Sequence, residues 1–264
     1  MAWNDVYSEV DAKVVEAKEC LESFFAEHPD DVFYMKQLQV YFEKEFFHWV
    51  TANAIYELLS EGKLGTVDEP LLDSTHLKFV FNRKHRYFKR QVKMKAAVVR
   101  KYSDYYVARA CGQRAENLFL IGIGKRGFLL RGQHVNSHQG REWQETKHNL
   151  DFILERDGVS YGCEVKNTFS YINKKELEVK LQMCKHLRLR PLFIMRHSPK
   201  TYNWEIRKRK GIFLIFETRI YPLGLENLVQ EIRDVLRLPV DCPRYIPEGI
   251  IDRFENVHNA SLRK

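Results

Sequence analysis

The residues that could do chemistry most clearly lie in a short segment at positions 150–166. The Asp-Gly pair at 157–158 is a strong signal for a two-residue β-hairpin turn, and such a turn sets the register of the strands on either side. In that register Asp151 lies directly opposite Glu164. Like charges opposed on one face of a sheet repel each other. The pattern therefore predicts a cation between the two carboxylates.

A lysine belongs to the same face as these two acids. Side chains alternate along a strand, so Glu164 and Lys166 point to one side while Val165 points to the other. The opposite face offers four side chains to the core: Phe152, Leu154, Cys163 and Val165. Two carboxylates on a rigid hairpin suit a hard cation that keeps several waters, which predicts Mg²⁺, with Mn²⁺ able to substitute. Such an ion can polarise a phosphodiester oxygen and activate water. The lysine can orient or deprotonate that water, or stabilise developing negative charge.

This constellation resembles the PD-(D/E)xK nuclease superfamily, which has the restriction-endonuclease-like fold. The match is Asp151, twelve intervening residues, and then Glu164-Val165-Lys166; Leu150 stands where the motif has its leading proline. The resemblance covers roughly residues 105–236. It implies catalytic roles for both acids and the lysine, with the acids holding the metal and the carbonyl of Val165 as an optional further ligand.

The superfamily commonly adds a glutamate from its first core helix, and Glu116 fits that placement as a fourth catalytic and metal-binding group. Some branches carry a glutamine on the helix that follows the motif. Gln182 stands there, although an ordinary surface position explains it somewhat better. Asn167 and Thr168 extend the active strand and are candidates for phosphate contact. His148 is a candidate for substrate contact because it lies close to Asp151 in the sequence.

A different metal interpretation joins His134, His138 and His148 in a zinc site. Their spacing matches no common zinc site, so the carboxylate interpretation is favoured. The five cysteines are scattered and none forms a CxxC pair, which disfavours a disulfide framework, a zinc ribbon and an iron–sulfur cluster. No apolar run approaches the roughly 20 residues of a membrane helix. We therefore expect an intracellular protein (cytoplasm and nucleoid, or nucleus) that is not embedded in a membrane.

The net charge of +8 over 264 residues is unevenly distributed. Residues 1–83 hold 7 basic and 16 acidic residues, whereas residues 84–264 hold 36 basic and 19 acidic ones. Two segments, 84–109 and 185–210, each carry nine basic residues and one acid. Such segments indicate a polyanion partner, with a solvated basic face as the alternative. The predicted nucleic-acid contacts are Lys89, Arg90, Lys93, Arg207, Lys208, Arg209 and Lys210.

The elements that must position these residues follow from hydrophobic periodicity. Helices are predicted at 10–27, 34–42 and 47–60, and strands at 63–67 and 76–81. This is the order of a winged-helix module. Its third helix would be the one offered to DNA, but that helix is aromatic and acidic. We therefore expect this module to contact protein or form a dimer, with direct DNA binding as the alternative.

From residue 149 onward strands and helices alternate, which predicts an α/β fold with a mixed sheet flanked by helices. We further expect Gly112 to interrupt the basic helix and residues 133–147 to form a loop. The predicted organisation is a mostly α winged-helix-like module (1–83), a basic helical linker (84–111) and a nuclease domain (112–264).

Together these features predict a Mg²⁺-dependent endonuclease that hydrolyses DNA phosphodiester bonds. It would be of the restriction, transposition, repair or junction-resolving type and would act as a homodimer or with a protein partner. One alternative is a non-catalytic DNA-binding regulator or scaffold with a nuclease-like fold. The other is a nuclease directed at RNA.

Overall fold

The computed structural model describes residues 3–71 and 75–263, and this part of the chain forms nine helices and twelve strands. The helices are α1 (Trp3–Glu27), α2 (Met35–Tyr41), α3 (His48–Ser60), α4 (Phe88–Ser103), α5 (Tyr105–Gly124), α6 (Lys174–His186), α7 (Lys200–Lys208), α8 (Glu226–Leu236) and α9 (Glu248–Leu262). The strands are β1 (Val32–Tyr34), β2 (Leu64–Pro70), β3 (His76–Asn82), β4 (Leu129–Val135), β5 (Ser137–His138), β6 (Arg141–Glu142), β7 (Leu150–Arg156), β8 (Val159–Lys166), β9 (Arg190–Met195), β10 (Ile212–Ile215), β11 (Arg219–Ile220) and β12 (Val240–Asp241).

The chain divides into two compact units. One comprises Met1–Val107 with Gln230–Leu238, and the other comprises Ala108–Val229 with Pro239–Lys264. The α/β class and the mixed sheet predicted from the alternation of elements are confirmed. Among the described residues, no helix has the length and apolar character that spanning a membrane requires.

In the first unit, α1, α2 and α3 enclose an apolar core that includes Leu21, Leu38 and Ile55. The three predicted helices and the two strands that follow them are confirmed. A strand that the sequence did not predict, β1, pairs antiparallel with β3, and the sheet order is β1-β3-β2. Three residues are too few to show an alternating pattern. Helix α4 also belongs to this unit, where Phe88 stacks on Phe81 with ring centroids 4.2 Å apart.

The second unit is built on a five-stranded sheet of order β10-β9-β8-β7-β4, in which β8, β9 and β10 are parallel and β7 and β4 run antiparallel to their neighbours. The predicted hairpin register is confirmed, since Phe152 pairs with Cys163. Phe152 and Cys163 enter the core on one face, with Phe119 of α5. The other face is buried as well, because Ile153 packs with Met183 of α6.

The prediction that Gly112 interrupts the basic helix is wrong. Helix α5 continues through Gly112, and the break lies at Asp104, whose carboxylate accepts the backbone N–H groups of Tyr106 and Val107 at 2.9 and 3.2 Å. An aspartate that caps a helix start is a stronger boundary signal than one glycine, since a glycine inside a helix costs only about 1 kcal/mol relative to alanine.

The prediction of a loop over residues 133–147 is also wrong, since β4 extends to Val135 and the small β5–β6 pair follows. Regular alternation is interrupted here by residues with positive φ, including His134 (52°) and Gln139 (46°). Positive φ is uncommon outside glycine, so a period-two pattern does not reveal these strands. Helices α7 and α9 were not predicted either.

Packing on the α6 side of the sheet generates a testable prediction at Gly162. A Cβ atom there would lie 2.8 Å from the Cys184 sulfur and 2.9 Å from a Leu150 methyl carbon. Gly162→Ala should therefore lower the free energy of unfolding by about 1–3 kcal/mol through overpacking. The matched control is Gly112→Ala, where a Cβ meets nothing within 4 Å and a gain of about 0.5–1 kcal/mol is expected from helix propensity. Urea denaturation of both variants measures the difference; a loss of equal size in the two would contradict it.

Candidate metal and catalytic site

Three ionisable side chains form a row across adjacent strands of the sheet. Pairing of Gln133 with Phe152 and of Val135 with Leu150 sets His134 across from Asp151. The hairpin register, carried one pair beyond Phe152, sets Asp151 across from Glu164 in turn.

Asp151 also contacts the next strand through its carboxylate. Its Oδ2 accepts the backbone N–H of Val165 at 2.6 Å. The two acids predicted to face each other are therefore adjacent at one end of the sheet.

A β-bulge puts the histidine into this row. Leu130 pairs with Leu154, but Gly132 pairs with Ile153, so the register shifts by one residue between them. Without that shift Gln133 would stand opposite Asp151. Bulges re-aim side chains and are common beside active sites. Here the bulge exchanges an amide for an imidazole.

Helix α5 brings the predicted fourth group, Glu116, to the same place. Its Oε2 lies 3.8 Å from Nε2 of His134, and one ligand atom from each of Glu116, His134 and Asp151 lies within 4.8 Å of the other two. Over the described residues this is the one group of three or more histidine, cysteine or acidic side chains with that spacing. Small rotations would direct all three onto one ion, given metal–ligand bonds of about 2.1 Å.

The surroundings of the two carboxylates in this group disfavour their ionised forms. Burial, followed by the nearby charge of Glu164, raises the pKa of Asp151 to about 7, although the N–H of Val165 opposes the shift. Burial also raises the pKa of Glu116. A cation at this position would favour the ionised form of both carboxylates.

Glu164 itself is paired with two ammonium groups. Its side chain is 3% exposed, its Oε1 lies 3.0 Å from Nζ of Lys166, and its Oε2 accepts a hydrogen bond from Lys180. Lys166 is also 2.7 Å from Glu176 of α6. Burial lowers the pKa of Lys166, but the charges of both glutamates outweigh burial and raise it above its usual value. Lys166 is therefore an ammonium donor at neutral pH, and the predicted option that it deprotonates water is not favoured.

Lys180 is a site residue that sequence reasoning missed. It is 4% exposed and also donates a hydrogen bond to the carbonyl of Asn149, so it joins α6 to the residue before β7. A signal was present, because Lys180 interrupts the buried stripe of α6 formed by Leu177, Leu181 and Cys184. A lysine in an apolar stripe implies a buried anionic partner. Gln182, the predicted candidate on this helix, is exposed.

The segment after Lys166 is held by buried hydrogen bonds. Asn167 is 5% exposed, and its amide nitrogen donates to the carbonyls of Cys111 and Ile220, at 2.9 and 2.6 Å. Its Oδ1 accepts the N–H of Ile220. Asn167 thus anchors the end of β8, and the predicted phosphate contact for it is wrong, since its polar atoms are used inside the protein. Thr168 is exposed.

The three histidines of the zinc interpretation are not brought together. His138 lies 3.2 Å from the carbonyl oxygen of Leu187, and His148 lies 2.9 Å from the hydroxyl of Thr146. Neither belongs to the group formed by Glu116, His134 and Asp151.

The predicted nucleic-acid contacts belong to different units. Lys89, Arg90 and Lys93 are exposed on α4 in the first unit. The exposed residues 207–210 end α7 and precede β10 in the second unit. Because β10 is parallel to β8, these cations lie at the start of the parallel strands and Lys166 lies at the end. The registers separate Ile212 from Lys166 by about 10 Å along the strands and about 10 Å across two of them.

No family model, curated protein or solved structure matches this chain. The chemistry of the site is therefore inferred from its own geometry. That geometry combines two partly buried carboxylates and an exposed imidazole with a neighbouring glutamate neutralised by two lysines.

Removal of the Lys180 ammonium should destabilise the protein. Lys180→Met leaves the buried Glu164 with one cation in place of two, and breaking a buried ion pair from one side costs about 3–5 kcal/mol. We expect a loss near the lower figure because Lys166 remains. Lys185→Met, on an exposed lysine of the same helix, is the charge-matched control and should change stability little. Chemical denaturation measures both; equal effects would show that Lys180 has no special role.

The shifted pKa of Asp151 predicts a pH-dependent stability. Its pKa is about 7 in the folded protein and about 3.9 in an unfolded chain, so the folded state binds this proton more tightly. The corresponding stability is present below about pH 4 and is lost as the pH rises through about 7. Asp151→Asn cannot ionise and keeps an acceptor for Val165. In the presence of a chelator it should be more stable than the parent at pH 8, and the difference should vanish near pH 4. Parallel stability curves for the two proteins would contradict this.

Proposed function

We propose that the chain is a divalent-metal-dependent nuclease that hydrolyses DNA phosphodiester bonds, and that its second unit has the restriction-endonuclease-like fold. The observation that carries this proposal is the convergence of Glu116, Asp151, Glu164 and Lys166 at the end of β8. The order from α5 through β4, β7, β8 and α6 to β9 agrees with the order that the resemblance implies. The first unit is proposed to be winged-helix-like.

The donor set fits a divalent cation, because it offers two partly buried carboxylates and one imidazole within 4.8 Å of one another. Glu116, Asp151 and His134 would hold the ion. Bound there, it would polarise a phosphate oxygen and lower the pKa of a water molecule. Glu164, predicted as a ligand, is instead engaged with an ammonium group at each oxygen.

The lysines supply the positive charge that a reacting phosphate needs. Lys166 lies between Glu164 and Glu176 and keeps its proton, so it can donate a hydrogen bond to the oxygen on which negative charge develops. Lys180 neutralises the buried Glu164 and thereby positions Lys166. Preorganised donors of this kind act without reorganisation during the reaction.

Exposed cations would bind the nucleic-acid backbone. Lys174 and Lys175 begin α6 directly before Glu176, which touches Lys166, so they are placed to meet phosphates beside the reacting one. The basic residues 207–210 lie far enough away to contact a flanking stretch. Contacts with phosphates release counterions, so binding should weaken steeply with salt.

The first unit is proposed to contact a protein partner or a second copy. Trp49 and Tyr56 on α3 are 45% and 52% exposed, while Glu57 and Glu61 of this region pair with Lys18. Such a surface suits protein contact better than phosphate contact. A homodimer would supply the two sites that cutting both strands of a duplex requires.

A non-catalytic scaffold has no evident need for the carboxylate arrangement. Burial, followed by neighbouring carboxylate charge, raises the pKa of Asp151, and burial raises the pKa of Glu116, which is costly unless a cation is used there. Unfavourable charge arrangements of this kind cluster at functional sites.

A cleavage assay tests the proposal. Supercoiled plasmid, single-stranded DNA and RNA would each be incubated with the full-length protein and Mg²⁺ or Mn²⁺, with a chelator as the metal-free arm. We expect DNA cleavage that needs metal, and a loss of at least about 100-fold in Asp151→Ala and Lys166→Ala, the scale of losing one group that stabilises the transition state. Lys185→Ala, on the exposed side of α6, should retain activity.

The assay also separates the alternatives. Cleavage of RNA alone would redirect the proposal to an RNA nuclease. Equal activity in parent, Asp151→Ala and Lys166→Ala would overturn the assigned site. A folded parent that binds DNA but cleaves none of the three substrates would favour a scaffold.

A further inference from the structure

We propose that Glu116, His134 and Asp151 form a mixed nitrogen–oxygen centre that selects a divalent transition ion such as Mn²⁺ over Mg²⁺. The inference rests on the proposed function, because it names the ion of the same site. The distinctive ligand of this centre is the imidazole of His134, since Glu116 and Asp151 alone would supply only oxygen ligands.

The spacing of the three side chains supports an ion more than a direct bond. Nε2 of His134 and Oε2 of Glu116 are 3.8 Å apart, which is too long for a hydrogen bond. Two ligands on one ion lie about 3–4 Å apart when each bond is about 2.1 Å. Asp151 completes the group at no more than 4.8 Å.

The bulge in β4 decides which donor enters this site. If the register of Leu130 with Leu154 continued along β4, Gln133 would stand opposite Asp151. The amide oxygen of Gln133 would then leave a site whose ligands are all oxygens. The one-residue shift sets His134 there instead, in a left-handed conformation at φ 52°. The irregularity of β4 thus places a nitrogen donor, instead of an oxygen donor, opposite Asp151.

Glu164 does not compete for the role of third donor. Both of its oxygens are engaged with ammonium groups, those of Lys166 and Lys180, and its side chain is 3% exposed. His134 is 55% exposed at its side chain, so it can turn toward an ion without leaving a packed position.

Coordination chemistry then predicts the selectivity. Mg²⁺ prefers oxygen ligands in near-ideal octahedral geometry and gives up water reluctantly. Imidazole suits Fe, Ni, Cu and Zn ions, whereas carboxylates suit Mn²⁺; Mn²⁺ takes both kinds of donor, and it accepts a nitrogen more readily than Mg²⁺ does. Exchange of one oxygen donor for His134 should therefore favour Mn²⁺ over Mg²⁺.

Metal binding without any substrate tests the inference. The metal-free full-length protein would be titrated with Mn²⁺ and, separately, with Mg²⁺, by calorimetry and by the electron paramagnetic resonance signal of free Mn²⁺. We expect a Kd for Mn²⁺ at least about tenfold below that for Mg²⁺. His134→Gln, which replaces the nitrogen donor by an oxygen, should weaken Mn²⁺ binding by about 10–100-fold, the scale seen when the support of a metal ligand is lost, and should change the Kd for Mg²⁺ much less.

His148→Gln is the matched control, because His148 is partly buried, lies three residues before Asp151 and contacts Thr146 instead of the site. It should bind both ions as the parent does. Asp151→Ala should lose binding of both ions. Unchanged Mn²⁺ binding in His134→Gln, equal loss in His148→Gln, or tighter binding of Mg²⁺ by the parent would each overturn the inference.

The readout distinguishes this inference from the proposed function. Selective Mn²⁺ binding that depends on His134, in a protein that cleaves no nucleic acid, would support the metal centre and overturn the nuclease. Metal-dependent DNA cleavage by the parent, together with Mn²⁺ binding that is unchanged in His134→Gln, would support the nuclease and overturn the role of the histidine.

Discussion

The site depends first on the pairing of one buried glutamate with two lysines. Glu164 is almost fully buried at the end of β8, where a lone carboxylate would be very costly. Lys166 on the same strand and Lys180 on α6 neutralise it, and Lys180 also holds the carbonyl of Asn149. One ion-pair cluster therefore joins the strand, the helix and the start of β7, and it keeps Asp151 in position.

The carboxylates at this end of the sheet have two different electrostatic environments. On one side Glu164 is neutralised and Lys166 remains available as a donor. On the other side Asp151 and Glu116 lie close to His134 without a comparable ammonium partner at each oxygen, and their pKa values are raised. In the proposed function, an anionic phosphodiester would approach the acidic side only with a cation between them, so the proposed metal and Lys166 would occupy separate places at one site.

The hairpin shows why part of this site could be predicted. Asp157 and Gly158 both have positive φ, 53° and 72°, as the predicted two-residue turn requires. That turn sets the register, and the pairs from Arg156–Val159 to Phe152–Cys163 follow it, so the same register places Asp151 opposite Glu164, as predicted from the chain alone. Glu116 was also among the predicted site residues, but it was selected through the resemblance to the nuclease superfamily and not from the pattern of its helix. Gly112 misled the prediction because a helix supported by packing tolerates a single glycine.

The amino-acid sequence by itself determined the α/β class, the hairpin register and the shared face of Asp151, Glu164 and Lys166. These follow from turn chemistry and from alternation along a strand, which act between near neighbours. The tertiary structure alone decided that His134 joins the acids and that Lys180 neutralises Glu164. The first depends on a bulge in a neighbouring strand, and the second on the packing of α6 against the sheet. The physical reason is the same for both, since contacts between separate elements are set by the register and burial of the whole sheet.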